Sequence, residues 1–152
     1  MKTMHTPTLL DYQRQLIIAS LDDFTPNGTL TSFHGGQYGE NVQACRAAVT
    51  DFLCVALDSG LIEATHRRDI SDKRDVGLLR YLLEQGDSGR DISRDILWDV
   101  MYFNGTPRLV NIMLQCGLHS WDSLGAPESQ ELALALCKAC EGFGWRFTQE
   151  LG

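Results

Sequence analysis

The sequence lacks any apolar run long enough to cross a membrane as a helix. Such a helix needs about 18 or more consecutive apolar residues, and no stretch of the chain reaches that length. Near the start, Leu9 and Leu10 are followed by charged residues at Asp11 and Arg14, which also argues against the apolar region of a signal peptide. The sequence therefore predicts a cytoplasmic protein with no membrane partner.

Basic residues are scarce relative to acidic ones. The chain has 13 Lys and Arg against 20 Asp and Glu, which gives a formal net charge of -7 at pH 7. Because nucleic acids and anionic membranes attract basic surfaces, this balance argues against direct, nonspecific binding to either. It favours a basic protein partner, since charge complementarity speeds the association of two proteins.

The sequence also lacks an even set of cysteines that would form a disulfide framework. Its five cysteines, without a secretion signal, predict reduced thiols. Cys137 and Cys140 have the spacing of a zinc or redox motif, but no second pair of ligands accompanies them. They also fall near the C-terminal end of a predicted helix, where the helix dipole does not favour a thiolate. A structural role is therefore predicted for this pair, with neither metal nor cofactor.

No strong catalytic motif is present. His34, Gly35 and Gly36 resemble the loop that supplies oxyanion donors in esterases, but the chain lacks the Gly-x-Ser-x-Gly turn that accompanies this loop. The four histidines are dispersed through unlike segments, without the spacing of a helical metal site. A protein that is not an enzyme is therefore predicted. The alternative is a small hydrolase or transferase that uses His34 and a carboxylate.

What the sequence does contain is a repeated helical pattern. Apolar residues recur at the same positions before a glycine in three segments, 52–60, 78–86 and 109–117. They form one stripe on a helix of about 3.6 residues per turn, and the glycine ends that helix in a left-handed conformation. No segment shows the alternation of a strand. The pattern predicts an all-α fold of stacked helical hairpins, with about six helices in a single domain over 1–152.

Capping residues and turn-forming pairs predict the helix boundaries. The pairs Thr6-Pro7 and Thr106-Pro107 each predict a helix start. A glycine-rich loop is predicted over 29–39. The predicted helices span about 7–21, 40–59, 72–85, 92–103, 107–117 and 127–142.

The stretch 95–118 resembles an ankyrin repeat. The pattern of that family's second helix falls, relative to Gly105, on Leu109, Val110, Ile112, Met113, Leu114 and Gly117. Leu97 and Val100 occupy apolar places of its first helix, although the family's Thr-Pro pair is missing before that helix. A partial preceding unit ends at Gly86, 31 residues before Gly117. The resemblance implies a protein-binding surface rather than a catalytic site.

The fourth predicted helix, 92–103, has a row of carboxylates. Asp91, Asp95 and Asp99 recur every four residues and would therefore lie along one side of the helix. Asp91 is expected to cap it. The opposite side is predicted to face the core through Ile92, Ile96, Val100 and Phe103.

Two aromatic residues, Trp98 and Tyr102, flank this acidic row, and aromatic side chains beside charges are typical of interface hot spots. Asp95, Trp98, Asp99 and Tyr102 are therefore predicted to contact a partner, and the loop from Phe33 to Tyr38 is the second choice. The simpler interpretation is a solvated helix face with Trp98 packed into the neighbouring helix.

Size, charge and the lack of catalytic motifs together predict a non-catalytic protein-binding module. A small acidic immunity protein or antitoxin, which neutralises a basic toxin that acts on nucleic acid, has these properties. The further alternative is a secretion chaperone or adaptor.

Overall fold

Helices dominate the structure, a computed structural model that describes residues 7–33 and 36–140. This part of the chain contains seven α-helices and two short strands, so the predicted all-α fold of about six helices is confirmed. The elements in chain order are α1 (Leu9–Leu21), α2 (Val42–Asp58), β1 (Ile62–Ala64), α3 (Arg68–Ser71), α4 (Val76–Gln85), α5 (Arg94–Val100), β2 (Phe103–Gly105), α6 (Pro107–Gln115) and α7 (Gln130–Ala139). Single 3-10 turns or slightly longer 3-10 segments lie at Pro26–Gly28, Gly36–Tyr38, Ser88–Arg90 and Trp121–Gly125.

Side-chain caps mark the start of every described α-helix except α3. Thr106 caps α6 as predicted, and its Oγ1 accepts from the N–H of Leu109 at 3.3 Å. The first helix begins two residues later than expected, because Thr8 forms a capping box with Asp11. The predicted cap, Thr6, lies outside the described residues.

Two of the three predicted glycine stops have the expected geometry. Gly60 and Gly117 have φ angles of 75° and 70°, and each is followed by a leucine whose N–H bonds back to the helix. These are Schellman motifs, in which the glycine takes the left-handed conformation that other residues enter at a cost. Gly86 ends α4 differently, with φ 86° and ψ -175°.

A two-stranded antiparallel sheet was not predicted. β1 pairs with β2 so that Ile62 lies opposite Gly105 and Ala64 opposite Phe103. Phe103 also exchanges both backbone hydrogen bonds with Phe24, at 2.8 and 2.9 Å. Three-residue strands are too short to show alternation in the sequence, and their pairing depends on contacts made far along the chain.

The helices pack around one core in which Leu16, Ile17, Leu53 and Phe103 are fully buried. α2 packs against α4 and α4 against α5, while α1 and α7 pack against α6. No helix of the described ranges is both long and apolar enough to span a membrane.

The ankyrin-like stretch 95–118 corresponds to α5 and α6. These two helices do not form a compact hairpin, because β2 lies between them and pairs with β1. The main packing of α5 is on α4, and that of α6 is on α1. The helices predicted from this stretch are therefore present, but their arrangement differs from stacked hairpins.

Candidate protein-binding site

The predicted contact residues lie on and just after α5, a seven-residue helix at the surface. Its N-cap is Ser93, whose Oγ accepts from the N–H of Ile96 at 3.3 Å. Asp91, which was predicted to cap this helix, instead ends the preceding 3-10 turn in the left-handed region, with φ 56°. Only Asp95 and Asp99 therefore form an acidic pair on the helix itself.

The predicted buried face of this helix was wrong. Leu97 and Trp98 are 2% exposed, whereas Ile96 and Val100 are 55% and 50% exposed. Phe103 is buried, but it belongs to β2 because the helix ends at Val100. Both faces have apolar residues at helical spacing, and the larger indole occupies the interior.

Trp98 anchors α5 to two neighbouring helices. Its indole Nε1 donates to the carbonyl oxygen of Leu83 in α4 at 2.8 Å, and the guanidinium carbon of Arg46 in α2 lies 4.9 Å from its ring centroid. The burial of Trp98 corrects its assignment as an exposed partner contact. The simpler interpretation, a tryptophan packed into the neighbouring helix, describes what it does.

The two helical carboxylates are exposed and differ in their surroundings. Asp95 is 73% exposed in its side chain and lies 3.2 Å from Arg46 and 3.6 Å from Arg94. Asp99 forms no ion pair within the described residues, and its Oδ1 accepts from Nδ2 of Asn27 at 2.6 Å. Asp99 therefore keeps a negative charge that no neighbouring cation balances.

Tyr102 borders a cavity of about 190 Å³ at the C-terminal end of α5. Its side chain is 45% exposed, and its backbone oxygen accepts from the N–H of Thr65 at 2.8 Å. Leu97 and Met101 supply buried apolar lining, and half-exposed Val100 lies at the rim. The cavity is large enough for one apolar side chain of a partner.

A buried arginine lines another part of this cavity. Arg67, which lines it, is 9% exposed and donates to Asp69 at 2.8 Å and to Asp87 at 3.1 Å. The hydrogen bond from Arg67 holds the pKa of the Asp69 carboxyl below its usual value. Because this arginine is already paired, it adds little free positive charge to the cavity.

Together, these residues form what we call the α5 face: Asp95, Ile96, Asp99, Val100 and Tyr102. Ile96 and Val100 were not predicted to contact a partner, because their spacing had placed them in the core. The signal that would have revealed them is the competing stripe of Leu97, Trp98 and Met101, which also has helical spacing.

The other motifs give no second site of this kind. Cys137 lies in the last turn of α7 and Cys140 is its C-cap, at the end of the helix as predicted. Burial raises the pKa of the Cys140 thiol, which is the opposite of redox activation. No group of three potential metal ligands occurs within 7–33 and 36–140. His34, the residue on which the hydrolase alternative depends, lies outside the described residues.

Comparison of the chain with protein-family models, curated proteins and solved structures finds no match in any of the three. The resemblance to ankyrin repeats thus has no support from relatives, and a functional proposal has to be based on the chain's own residues.

Proposed function

We propose that this protein is a non-catalytic binding module that neutralises a basic protein partner, in the manner of an immunity protein or antitoxin, through its α5 face. The observation that carries the proposal is the exposure of Ile96, Val100 and Tyr102, at 45–55%, beside two exposed carboxylates. Large apolar side chains clustered at a surface and bordered by polar residues are typical of interaction sites.

Charge supports a basic partner rather than an acidic or neutral one. The chain has a formal net charge of -7, and Asp99 has no cation beside it in the described structure. Such a surface attracts a cationic protein over distances of about a Debye length, roughly 8 Å at physiological salt. Toxins that act on nucleic acid are often basic, because their substrate is a polyanion.

The test measures binding to the purified product of the gene adjacent to this one, where the partner of an immunity protein is encoded. Titration calorimetry with the wild-type protein is expected to give a 1:1 complex. The double substitution Ile96→Ala and Val100→Ala is expected to weaken it by roughly tenfold or more, since buried apolar contacts at an interface are lost.

Leu134→Ala is the matched control. Leu134 is an exposed apolar residue, 66% exposed, on α7 rather than α5. Its substitution is expected to leave affinity unchanged. Equal affinity of the wild-type protein and the Ile96/Val100 variant, with both folded, would exclude the α5 face as the interface.

A further inference from the structure

A separate cavity lies between α1 and the segment 30–32. Its volume is about 230 Å³, and none of the residues of the α5 face lines it. The lining extends from Gln15 and Leu30, which are 2% and 1% exposed, to Thr31 and Ser32 at the surface. The cavity therefore connects a buried polar group with solvent.

Gln15 is the unusual residue of this cavity. Its Oε1 accepts from the N–H of Leu30 at 2.8 Å, and this bond fixes the orientation of the amide because an N–H requires an acceptor. The Nε2 amino group is consequently left over. It is buried and has no hydrogen-bond partner within the described residues. A buried donor without an acceptor is costly, so its presence calls for an explanation.

Leu30, whose N–H forms this bond to Gln15, has an unusual backbone conformation. It has φ 53°, in the left-handed region that a leucine rarely adopts, although it is fully buried. Backbone strain of this kind persists where the surrounding structure holds it, and it is concentrated at ligand sites. Here the bond to Gln15 holds the strained residue at the base of the cavity.

The lining contains two charged residues, Arg14 and Asp11, and they differ in their partners. Arg14 lines it and forms no ion pair within the described residues. Asp11 also lines it, but its oxygens already accept from the backbone N–H of Thr8 at 2.9 Å and from Ser32 Oγ at 2.8 Å. The buried group without a partner in this lining is thus a donor, Nε2 of Gln15, and the half-buried Arg14 is a cation with no ion pair beside it.

We propose that this cavity binds a small aliphatic carboxylate. Its carboxylate oxygens would accept from Gln15 Nε2 and from Arg14, since charge-assisted hydrogen bonds to a guanidinium are the strong ones. The alkyl chain would lie against Ile18 and Leu124, two apolar side chains of the lining. This site is distinct from the α5 face, so the inference does not rest on the proposed function.

The experiment is an NMR titration of the full ¹⁵N-labelled chain with 4-methylpentanoate. Saturable shifts are expected for the side-chain amide of Gln15 and the backbone amide of Leu30. The uncharged 4-methylpentanamide has the same shape, and we expect it to bind at least about tenfold more weakly, because the ion pair with Arg14 is absent.

Two substitutions locate the site. Gln15→Glu keeps an acceptor for Leu30 but replaces the free amino group with an oxygen, so 4-methylpentanoate should bind at least about tenfold more weakly. Arg14→Gln removes the same ion pair that the amide lacks and should also weaken binding by at least about tenfold. Arg68→Gln, at an exposed arginine of α3, is the control and should bind as the wild type does. If Gln15→Glu changes the chemical shift of the Leu30 amide before any ligand is added, the substitution has altered the cavity itself. The location of the site is then judged from Arg14→Gln alone.

Several results would overturn the proposal. Shifts that fail to saturate, or that sodium chloride reproduces at equal ionic strength, would mean that the cavity holds only water. Equal binding of the acid and the amide would exclude a carboxylate as the recognised group. Unchanged binding to both Gln15→Glu and Arg14→Gln would place any bound acid elsewhere.

Discussion

The Cys54 thiol in α2 lies in surroundings that disfavour its ionised form. Burial raises its pKa from 9.0 to about 11, and the opposing effect of Arg80 is smaller. The folded protein therefore keeps this thiol protonated at a pH where the unfolded chain releases the proton. Stability from this group is present below about pH 9 and is lost as the pH rises towards 11.

This linkage predicts a difference between the wild-type protein and Cys54→Ala. Between pH 8 and pH 10.5, the free energy of unfolding of the wild type should fall by about 2 kcal/mol more than that of the variant, because the variant lacks the titrating thiol. Urea unfolding under reducing conditions measures both. Cys137→Ala, at a half-exposed position, is the control and should keep the wild-type pH dependence. Parallel curves for wild type and Cys54→Ala would contradict the assignment.

Trp98 is predicted to matter for stability rather than directly for binding. Trp98→Phe keeps an aromatic ring in the core but leaves the carbonyl oxygen of Leu83 without its 2.8 Å donor. Loss of a buried hydrogen bond of this kind is expected to cost about 2 kcal/mol. Urea unfolding should show this loss, whereas Trp121→Phe, at a residue 51% exposed, should change stability by less than about 0.5 kcal/mol. Equal effects of the two substitutions would mean that the bond to Leu83 contributes nothing.

The sequence could not settle the role of Trp98. Two stripes compete on this helix, one with Ile96 and Val100 and one with Leu97 and Trp98, and both have helical spacing. Contacts with other helices decide which stripe is buried: the carbonyl oxygen of Leu83 accepts from the Trp98 indole, and the guanidinium of Arg46 lies over its ring. The four-residue spacing of Asp95 and Asp99 predicted that they lie along one side of the helix, and both are exposed.

At the scale of elements, the three predicted glycine stops divide into two kinds. A Cβ on Gly86 would lie 2.7 Å from the backbone nitrogen of Arg94 and 3.0 Å from the oxygen of Ile92, and φ is +86°. A Cβ on Gly117 would meet nothing within 4 Å, although φ is +70°. Glycine is thus favoured at position 86 both by the positive φ angle and by the close approach of neighbouring backbone atoms. At position 117 only the positive φ angle favours it.

This difference predicts unequal costs for the same substitution. Gly117→Ala should lower the free energy of unfolding by about 1 kcal/mol, the cost of a left-handed alanine. Gly86→Ala should lower it by about 3 kcal/mol, because the start of α5 must also move. Urea unfolding compares the two, with Gly125→Ala as a control that has neither restriction. Equal losses at Gly86 and Gly117 would show that the close approach to α5 relaxes freely.

The start or end of a helix was predictable from the sequence where a single residue caps or stops the helix. Thr106 and Gly60 act locally, through a side-chain acceptor and a left-handed conformation, and the sequence identified both. The sheet was not predictable, because Ile62 and Gly105 become neighbours only after the intervening helices have packed. For the same reason the cavity beside Gln15 left no trace in the sequence.

At the scale of the whole molecule, internal pairing leaves an excess of negative charge. Arg46, Arg67 and Arg80 each pair with a carboxylate, at distances of 2.8–3.2 Å. The chain has seven more acidic than basic residues, so its net charge stays negative however these arginines pair. The net charge could be counted from the sequence, but the sequence did not show which arginines form ion pairs in the folded protein.

The α5 face should therefore control how fast a basic partner associates. Replacing Asp95 and Asp99 together with Asn is expected to lower kon roughly three- to tenfold at low salt and to flatten its dependence on ionic strength, with a much smaller change in koff. Stopped-flow mixing with the purified product of the adjacent gene measures both rates. Thermal melts must accompany it, because Asp95→Asn also removes the partner of Arg46.

The control is Asp122→Asn with Glu128→Gln, which changes the net charge equally at two exposed residues outside the α5 face. If attraction is local, this pair should reduce kon far less than the pair on α5, because screening weakens charges beyond about 8–10 Å. Equal reductions would mean that net charge alone steers the partner. No reduction from Asp95 and Asp99 in a well-folded variant would move the interface away from α5, and the loop from Phe33 to Tyr38 is the next segment to test.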